Sequence, residues 1–277
     1  MTAPEWLHYA LYPGDGARLD RVVREVVAPA VARAGVAGPP RRWFFLRFTD
    51  ELGPHVRLRF AGGQGAVDAI HQAVDPALRR ALREVTAPPR ERTPPGITGC
   101  HQGFYEPELD RYGGRAGVAL AEAVFEVSSE VTLALLGRAD VAARRRALAL
   151  TLMRRAARST LREADLPGLW TRYERHWSGG AGPAAATRRA RYQELARARA
   201  ARARERMAEV AADATVGRLL EAYASALQVH RDRLAAGAVA HHVHLTNNRL
   251  GIPPAEEGYL ARVLLVLDHA GPPGGAG

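Results

Sequence analysis

The 277-residue chain carries 39 Lys plus Arg against 29 Asp plus Glu, and every one of the basic side chains is Arg. A Schiff-base lysine and a phosphate-loop lysine are therefore excluded, and the lone Cys100 closes no intramolecular disulfide, Cys-rich zinc site or redox pair. Hydrophobic content of 47% and charged content of 25% are those of a folding globular chain, the N-terminus lacks a signal-peptide profile and no apolar run approaches ~18 residues, so a cytoplasmic protein without membrane association is expected.

In chain order, residues 6–12 alternate and read as a strand that Pro13-Gly14-Asp15-Gly16 breaks. Leu19, Val22, Val23, Val26, Val27 and Val31 recur at helical spacing within 17–34. After Gly38-Pro39-Pro40, the segments 43–48 and 55–60 flank a turn-forming stretch at 49–54 and predict a β-hairpin. A helix over 66–85, a Pro-rich loop over 87–95 and a fourth strand over 99–105 follow. Strand, helix, strand, strand, helix, strand is the order of the ferredoxin-like split unit. From there the sequence predicts helices at 116–136, 139–162, 186–212, 214–236, 238–248 and 254–269, with breaks at Gly137, Leu166-Pro167 and 178–183. The expected fold class is α+β: a ferredoxin-like βαββαβ portion over 1–114, then an all-helical portion over 115–270 in one compact unit with it, and a disordered tail at 271–277. The formal net charge of +10 admits a nucleic-acid or acidic-peptide partner. Within 187–206 the apolar seam is narrow and carries one aromatic, Tyr192, so a solvated arginine face is the reading there rather than a base-stacking platform.

Three segments hold candidate chemistry. In His55-Val56-Arg57-Leu58-Arg59-Phe60, alternation sends His55, Arg57 and Arg59 to one face, with the guanidiniums roughly 7 Å apart; an anion between them, or acids from elsewhere, would offset their repulsion. In Tyr105-Glu106-Pro107-Glu108-Leu109-Asp110-Arg111-Tyr112-Gly113-Gly114, Glu108 and Arg111 have ion-pair spacing and the Gly pair permits a tight turn. In 241–252, His244 and Asn248 share a helix face and Gly251 fits a C-terminal cap. His241, His242 and His244 suggest a metal, but no acid lies in the segment and the spacing is not the i, i+4 of a helical ligand pair, so no metal site is expected.

Together these segments resemble the C-terminal elimination domain of class I lantibiotic dehydratases, which also occurs as a separate chain in thiopeptide-type bacteriocin pathways. The resemblance runs from Trp6 to about Glu257. It rests on Trp43-Phe44-Phe45-Leu46-Arg47-Phe48 with Asp50, Pro54 to Phe60, Tyr105 to Gly114, Glu122-x-x-Phe125, and His244-x-x-x-Asn248-Arg249 with an acid at Glu256 or Glu257. Where the family usually has Asp-Ser after the Phe125 position, this chain has Ser128-Ser129.

The resemblance implies a lyase that expels glutamate from glutamylated Ser or Thr of a ribosomally made precursor peptide, leaving dehydroalanine or dehydrobutyrine. It implies His244, Arg111 and Arg59 as catalytic residues, and Arg57, Tyr105, Glu108, Tyr112, Asn248 and Arg249 as substrate-binding ones. A histidine suits removal of the Cα proton at neutral pH, and guanidiniums suit the glutamyl carboxylate and the charge on the leaving group. No cofactor is called for. The expected partners are the precursor peptide and a separate glutamyl-tRNA-dependent glutamylating protein, and a homodimer is left open. Two alternatives remain: a thiopeptide pyridine synthase, which joins two dehydroalanines in a formal [4+2] cycloaddition with leader release, and a non-catalytic basic subunit binding tRNA or peptide.

Overall fold

The computed structural model describes residues 4–86, 97–234 and 237–269. The predicted Pro-rich loop at 87–95, the end of the predicted 214–236 helix at 235–236 and the predicted tail at 271–277 lie outside the described residues. The chain divides into two compact units, 1–138 and 139–277.

In the first unit, β1 (Glu5–Pro13), β2 (Arg42–Asp50), β3 (Gly53–Gly62) and β4 (Thr98–Gly103) form one sheet of order β2-β3-β1-β4, and every pairing is antiparallel. Alternation gives the sheet one largely apolar face, on which Tyr9, Leu11, Phe45, Val56, Leu58 and Phe60 are all buried. Two helical layers cover it. The first comprises α1 (Leu19–Val22), a π turn (Val23–Val27) and α2 (Ala28–Ala37). The π turn, not foreseen from the sequence, precedes Pro29, which has no N–H to return to Glu25 and whose ring crowds that carbonyl, so the helix widens there. The second layer is α3 (Gln64–Val85), which buries Ile70, Val74, Leu78 and Leu82, one every turn.

The hairpin closes on Glu51-Leu52, with Asp50 paired to Gly53; Asp50 accepts the Leu52 N–H at 3.0 Å, and Gly53 has φ 116°, a value that favours glycine. The fourth strand is shorter than expected: it ends at Gly103, the partner of His8, and leaves Tyr105 in an irregular stretch that leads to α4 (Leu109–Tyr112) and α5 (Arg115–Leu136). α5 packs on β2, where Glu126 and Ser129 accept the Trp43 and Phe45 N–H groups at 3.1 and 3.2 Å. Those bonds occupy donors on the outer edge of the sheet and blunt it.

The second unit is helical: α6 (Val141–Thr160), α7 (Leu166–Trp177), α8 (Pro183–Ala212), α9 (Ala214–His230), α10 (Ala238–Leu250) and α11 (Pro254–His269). The sequence reading missed α7, having taken Leu166-Pro167 as a break. Proline is at home in the first turn, where its missing N–H costs nothing, and Pro167 opens this helix. Asp213 caps α9 by accepting the Thr215 and Val216 N–H groups, both at 3.1 Å. Among the described residues no helix is long and apolar enough to cross a membrane.

Candidate functional site

The first unit presents a second sheet face, polar and aromatic. Pairing aligns Phe44, Arg59 and His8 in one row across β2, β3 and β1, and Leu46, Arg57 and Ala10 in the next. Side chains of directly paired residues stand on the same face. His55 is buried, with Nδ1 3.1 Å from the Gly53 carbonyl and Nε2 3.2 Å from Arg57 Nε. Nδ1–H therefore donates to the carbonyl, and Nε2 accepts from the guanidinium. Arg57 also lies 3.5 Å from the Phe48 ring centroid. Tyr12 donates to Asp50 at 2.8 Å, and burial with that carboxylate pushes its phenol up to about 12.

Arg59 is the buried guanidinium of this face. It is only 6% exposed and stacks 4.6 Å from the Tyr105 ring and 5.2 Å from Phe44, and its Nε has no hydrogen-bond partner among the described residues. Desolvation pulls its pKa down to about 10, which leaves it charged at neutral pH. Of the two acids whose charge reaches it, Glu108 and Glu122, Glu108 pairs with Arg111, and Glu122 is engaged by the Tyr105 hydroxyl while burial pushes its carboxyl up. Holding a buried guanidinium without an ion-pair partner is unfavourable by several kcal/mol as an order of magnitude, and an incoming carboxylate would offset that cost.

The 105–114 segment places Arg111 on α4, 2.8 Å from Glu108, with the two side chains 45% and 54% exposed. An ion pair in water contributes about 0–1 kcal/mol, so Arg111 can exchange Glu108 for another anion at little cost. Gly113 and Gly114 have φ 76° and 91° and reverse the chain into α5. Tyr112 is buried edge-on against Phe125, ring centroids 5.6 Å apart. The chain's Ser128-Ser129 is buried too: Ser129 donates to the Phe125 carbonyl at 2.7 Å while accepting from Phe45.

In the second unit, α10 carries His244, whose Nδ1 is 2.8 Å from Glu257 Oε1 on α11. Glu257 is fully buried; its other oxygen accepts from the Tyr173 hydroxyl and, at 3.1 Å, from Asn247 Nδ2. The His244 ring stacks on Trp177, centroids 4.4 Å apart, and its side chain is 22% exposed. With the carboxylate as acceptor, the proton sits on Nδ1 and Nε2 carries the lone pair, the arrangement of an oriented general base. Gly251, φ 84°, ends the helix as the spacing predicted. Asn248 is half-buried; Arg249 and His242 are buried, and burial lowers the His242 imidazole to about 3. Among the described residues no cluster of three His, Cys, Asp or Glu could hold a metal ion.

The structure thus joins Arg59 to Tyr105 and Arg111 to Glu108 in the first unit, and equips His244 in the second. Sequence reasoning missed His8, and gave no role to Glu257, named only as a landmark acid, nor to Tyr173 and Trp177 on the unforeseen α7. Pro167 just after Asp165 was the available signal for that helix.

The profile of the family described as "Lantibiotic biosynthesis dehydratase C-term" matches residues 6–267. No curated protein matches the chain. Among solved structures, the tRNA dependent lantibiotic dehydratase MibB from Microbispora sp. 107891 aligns with a TM-score of 0.62 at 22% identity, over 97% of this chain and 28% of that one. The pyridine synthase TbtD from thiomuracin biosynthesis aligns with 0.66 at 19% identity, over 96% and 97%. TsrL aligns with 0.60 at 16% identity, over 97% and 95%. The chain therefore spans little more than a quarter of MibB but nearly the whole of TbtD and TsrL.

Proposed function

We propose that this chain, which belongs to the lantibiotic biosynthesis dehydratase C-terminal family, eliminates glutamate from glutamylated Ser or Thr of a ribosomally made precursor peptide. In that step a base takes the Cα proton, the Cβ–O bond breaks, glutamate departs as its carboxylate, and dehydroalanine or dehydrobutyrine remains. The observation that carries the reading is Arg59, a buried guanidinium stacked on two aromatic rings whose Nε has no hydrogen-bond partner among the described residues. Its role is to hold the glutamyl carboxylate. Arg111, whose exposed bond to Glu108 is easily exchanged, stabilises the charge of the leaving group, and His244, oriented by Glu257, takes the proton. A separate protein glutamylates the peptide, and both work in the cytoplasm. The strand order and the placement of helices between β1 and β2 and between β3 and β4 support reading the sheet layer as ferredoxin-like.

A second reading rests on the likeness to the pyridine synthase TbtD, at a TM-score of 0.66: a formal [4+2] cycloaddition of two dehydroalanines. The two chemistries separate in one experiment. A synthetic peptide bearing one glutamylated Ser is incubated with the protein alone and followed by mass spectrometry. Elimination releases free glutamate and leaves one dehydroalanine. No release from that peptide, together with ring formation from a peptide carrying two dehydroalanines, would overturn the elimination reading.

A further inference from the structure

Two polar atoms on adjacent strands are buried without a partner among the described residues: Nε2 of His8 and Nε of Arg59. Their residues are direct partners in the β1–β3 ladder, so both side chains stand on the same face. His8 Nδ1 lies 2.8 Å from the Phe104 carbonyl. A carbonyl only accepts, so Nδ1 carries the hydrogen and Nε2 offers a lone pair. Burial, then the charge of Arg59, holds this imidazole down at about 4, and the ring stays neutral at physiological pH. Each residue is more than nine-tenths buried. A donor and an acceptor left unsatisfied in this way cost ~1–3 kcal/mol each, so a ligand that supplies both complements is favoured.

The backbone beside them is open to such a ligand. β4 pairs with β1 only from His8 to Pro13, so Glu5, Trp6 and Leu7 keep β3 as their only strand partner among the described residues. At that step a cavity of about 300 Å³ opens at the strand edge between β1, the end of β4 and the start of α3, lined by Trp6, His8 and Phe104 and, from α3, by Asp68 and His71, and Phe104 is 98% exposed. An open strand edge with an aromatic rim accommodates an extended peptide. The positive field of Arg59 and Arg57, which disfavours a charged His8, equally disfavours a cationic donor at Nε2. A neutral N–H is the donor that fits.

We propose that His8 is a substrate-binding residue whose Nε2 accepts a hydrogen bond from the main-chain N–H of the peptide residue that bears the leaving group, beside Arg59. This deepens the elimination reading and rests on it for the identity of that residue. The test uses two fluorescent peptides. One carries glutamyl-diaminopropionate, an amide analogue that does not eliminate; the other is identical except that an ester oxygen replaces the main-chain N–H of that residue.

Fluorescence anisotropy should show the wild type binding the first about tenfold more tightly than the second. His8→Asn keeps a donor for the Phe104 carbonyl but reaches no further, and should bind both peptides alike. His8→Gln, whose amide oxygen reaches the Nε2 position, should restore part of the preference. A purely structural histidine would weaken both peptides equally in the variants. Equal binding of the two peptides by wild type, an undiminished preference in His8→Asn, or binding of neither peptide overturns the proposal. Turnover is read separately: a wild type that prefers the N–H peptide yet releases no glutamate from a glutamylated one would sink elimination and leave the role of His8 standing.

Discussion

At the scale of single residues, His244 can take a proton only through a nitrogen that carries none, and Glu257 secures this by holding the Nδ1 proton on the buried side. His244→Ala should let glutamylated peptide accumulate, with kcat down roughly 10²–10⁴-fold and KM little changed, because the proton moves only in the transition state. Glu257→Gln should keep the fold and still lose most of the rate, since an amide can present its NH₂ to Nδ1 and turn the ring to the wrong tautomer. Nitrogen chemical shifts of His244 would report that change, and a wild-type tautomer with wild-type kcat would remove Glu257 from the mechanism. Arg111→Lys retains the charge but not the planar fork, and should slow elimination at least about tenfold, or 1.4 kcal/mol of barrier. Wild-type-like turnover of the glutamylated peptide by that variant would exclude Arg111 from the site.

At the scale of elements, what the sequence disclosed followed from periodicity. The hairpin and α3 in the first unit, and the 254–269 helix in the second, lie where alternation and helical spacing placed them, because the apolar positions that set those periods are the buried ones. The π turn and α7 went unseen because each depends on how a proline is accommodated, in mid-helix at Pro29 and at a first turn at Pro167, and residue type alone does not choose between them. The partners of the candidate residues were hidden for another reason. Glu257 meets His244 thirteen positions away, and Arg59 meets Tyr105 across the sheet-to-helix connection, so neither contact leaves a local pattern.

Gly117 shows how an element holds a site. A Cβ there would sit 1.6 Å from the Tyr112 carbonyl oxygen, so α5 can approach the end of α4 only through glycine. Gly117→Ala should therefore push the α4 turn away and move Arg111 with it. The expected outcome is lost turnover with β-sheet circular dichroism retained; unchanged turnover would mean that Arg111 does not need that turn.

At the scale of the whole molecule, the first unit buries two imidazoles whose pKa burial lowers, His55 and His8, and the second buries His242; His8 is held at about 4 and His242 at about 3, in both cases by desolvation before any charge. Unfolded, both return to an ordinary pKa near ~6.5. Between these limits the unfolded chain binds more protons than the folded one, so stability rises with pH. The contribution is complete above roughly pH 6.5 and is lost progressively as the pH falls toward the folded values of about 4 and about 3. The carboxyls of Glu122, Glu126 and Glu130, which burial raises, bind their proton more readily in the folded chain and so oppose this loss. The loss across the window from pH 7 to pH 5 therefore belongs mainly to the histidines. Melting temperature should fall across it in the wild type, and His242→Leu, which fills similar space without a titrating group, should flatten the decline. A slope in the Leu variant equal to that of the wild type would show that His242 is already neutral when unfolded, or reaches water when folded, and burial in the second unit would then have no part in its acid sensitivity.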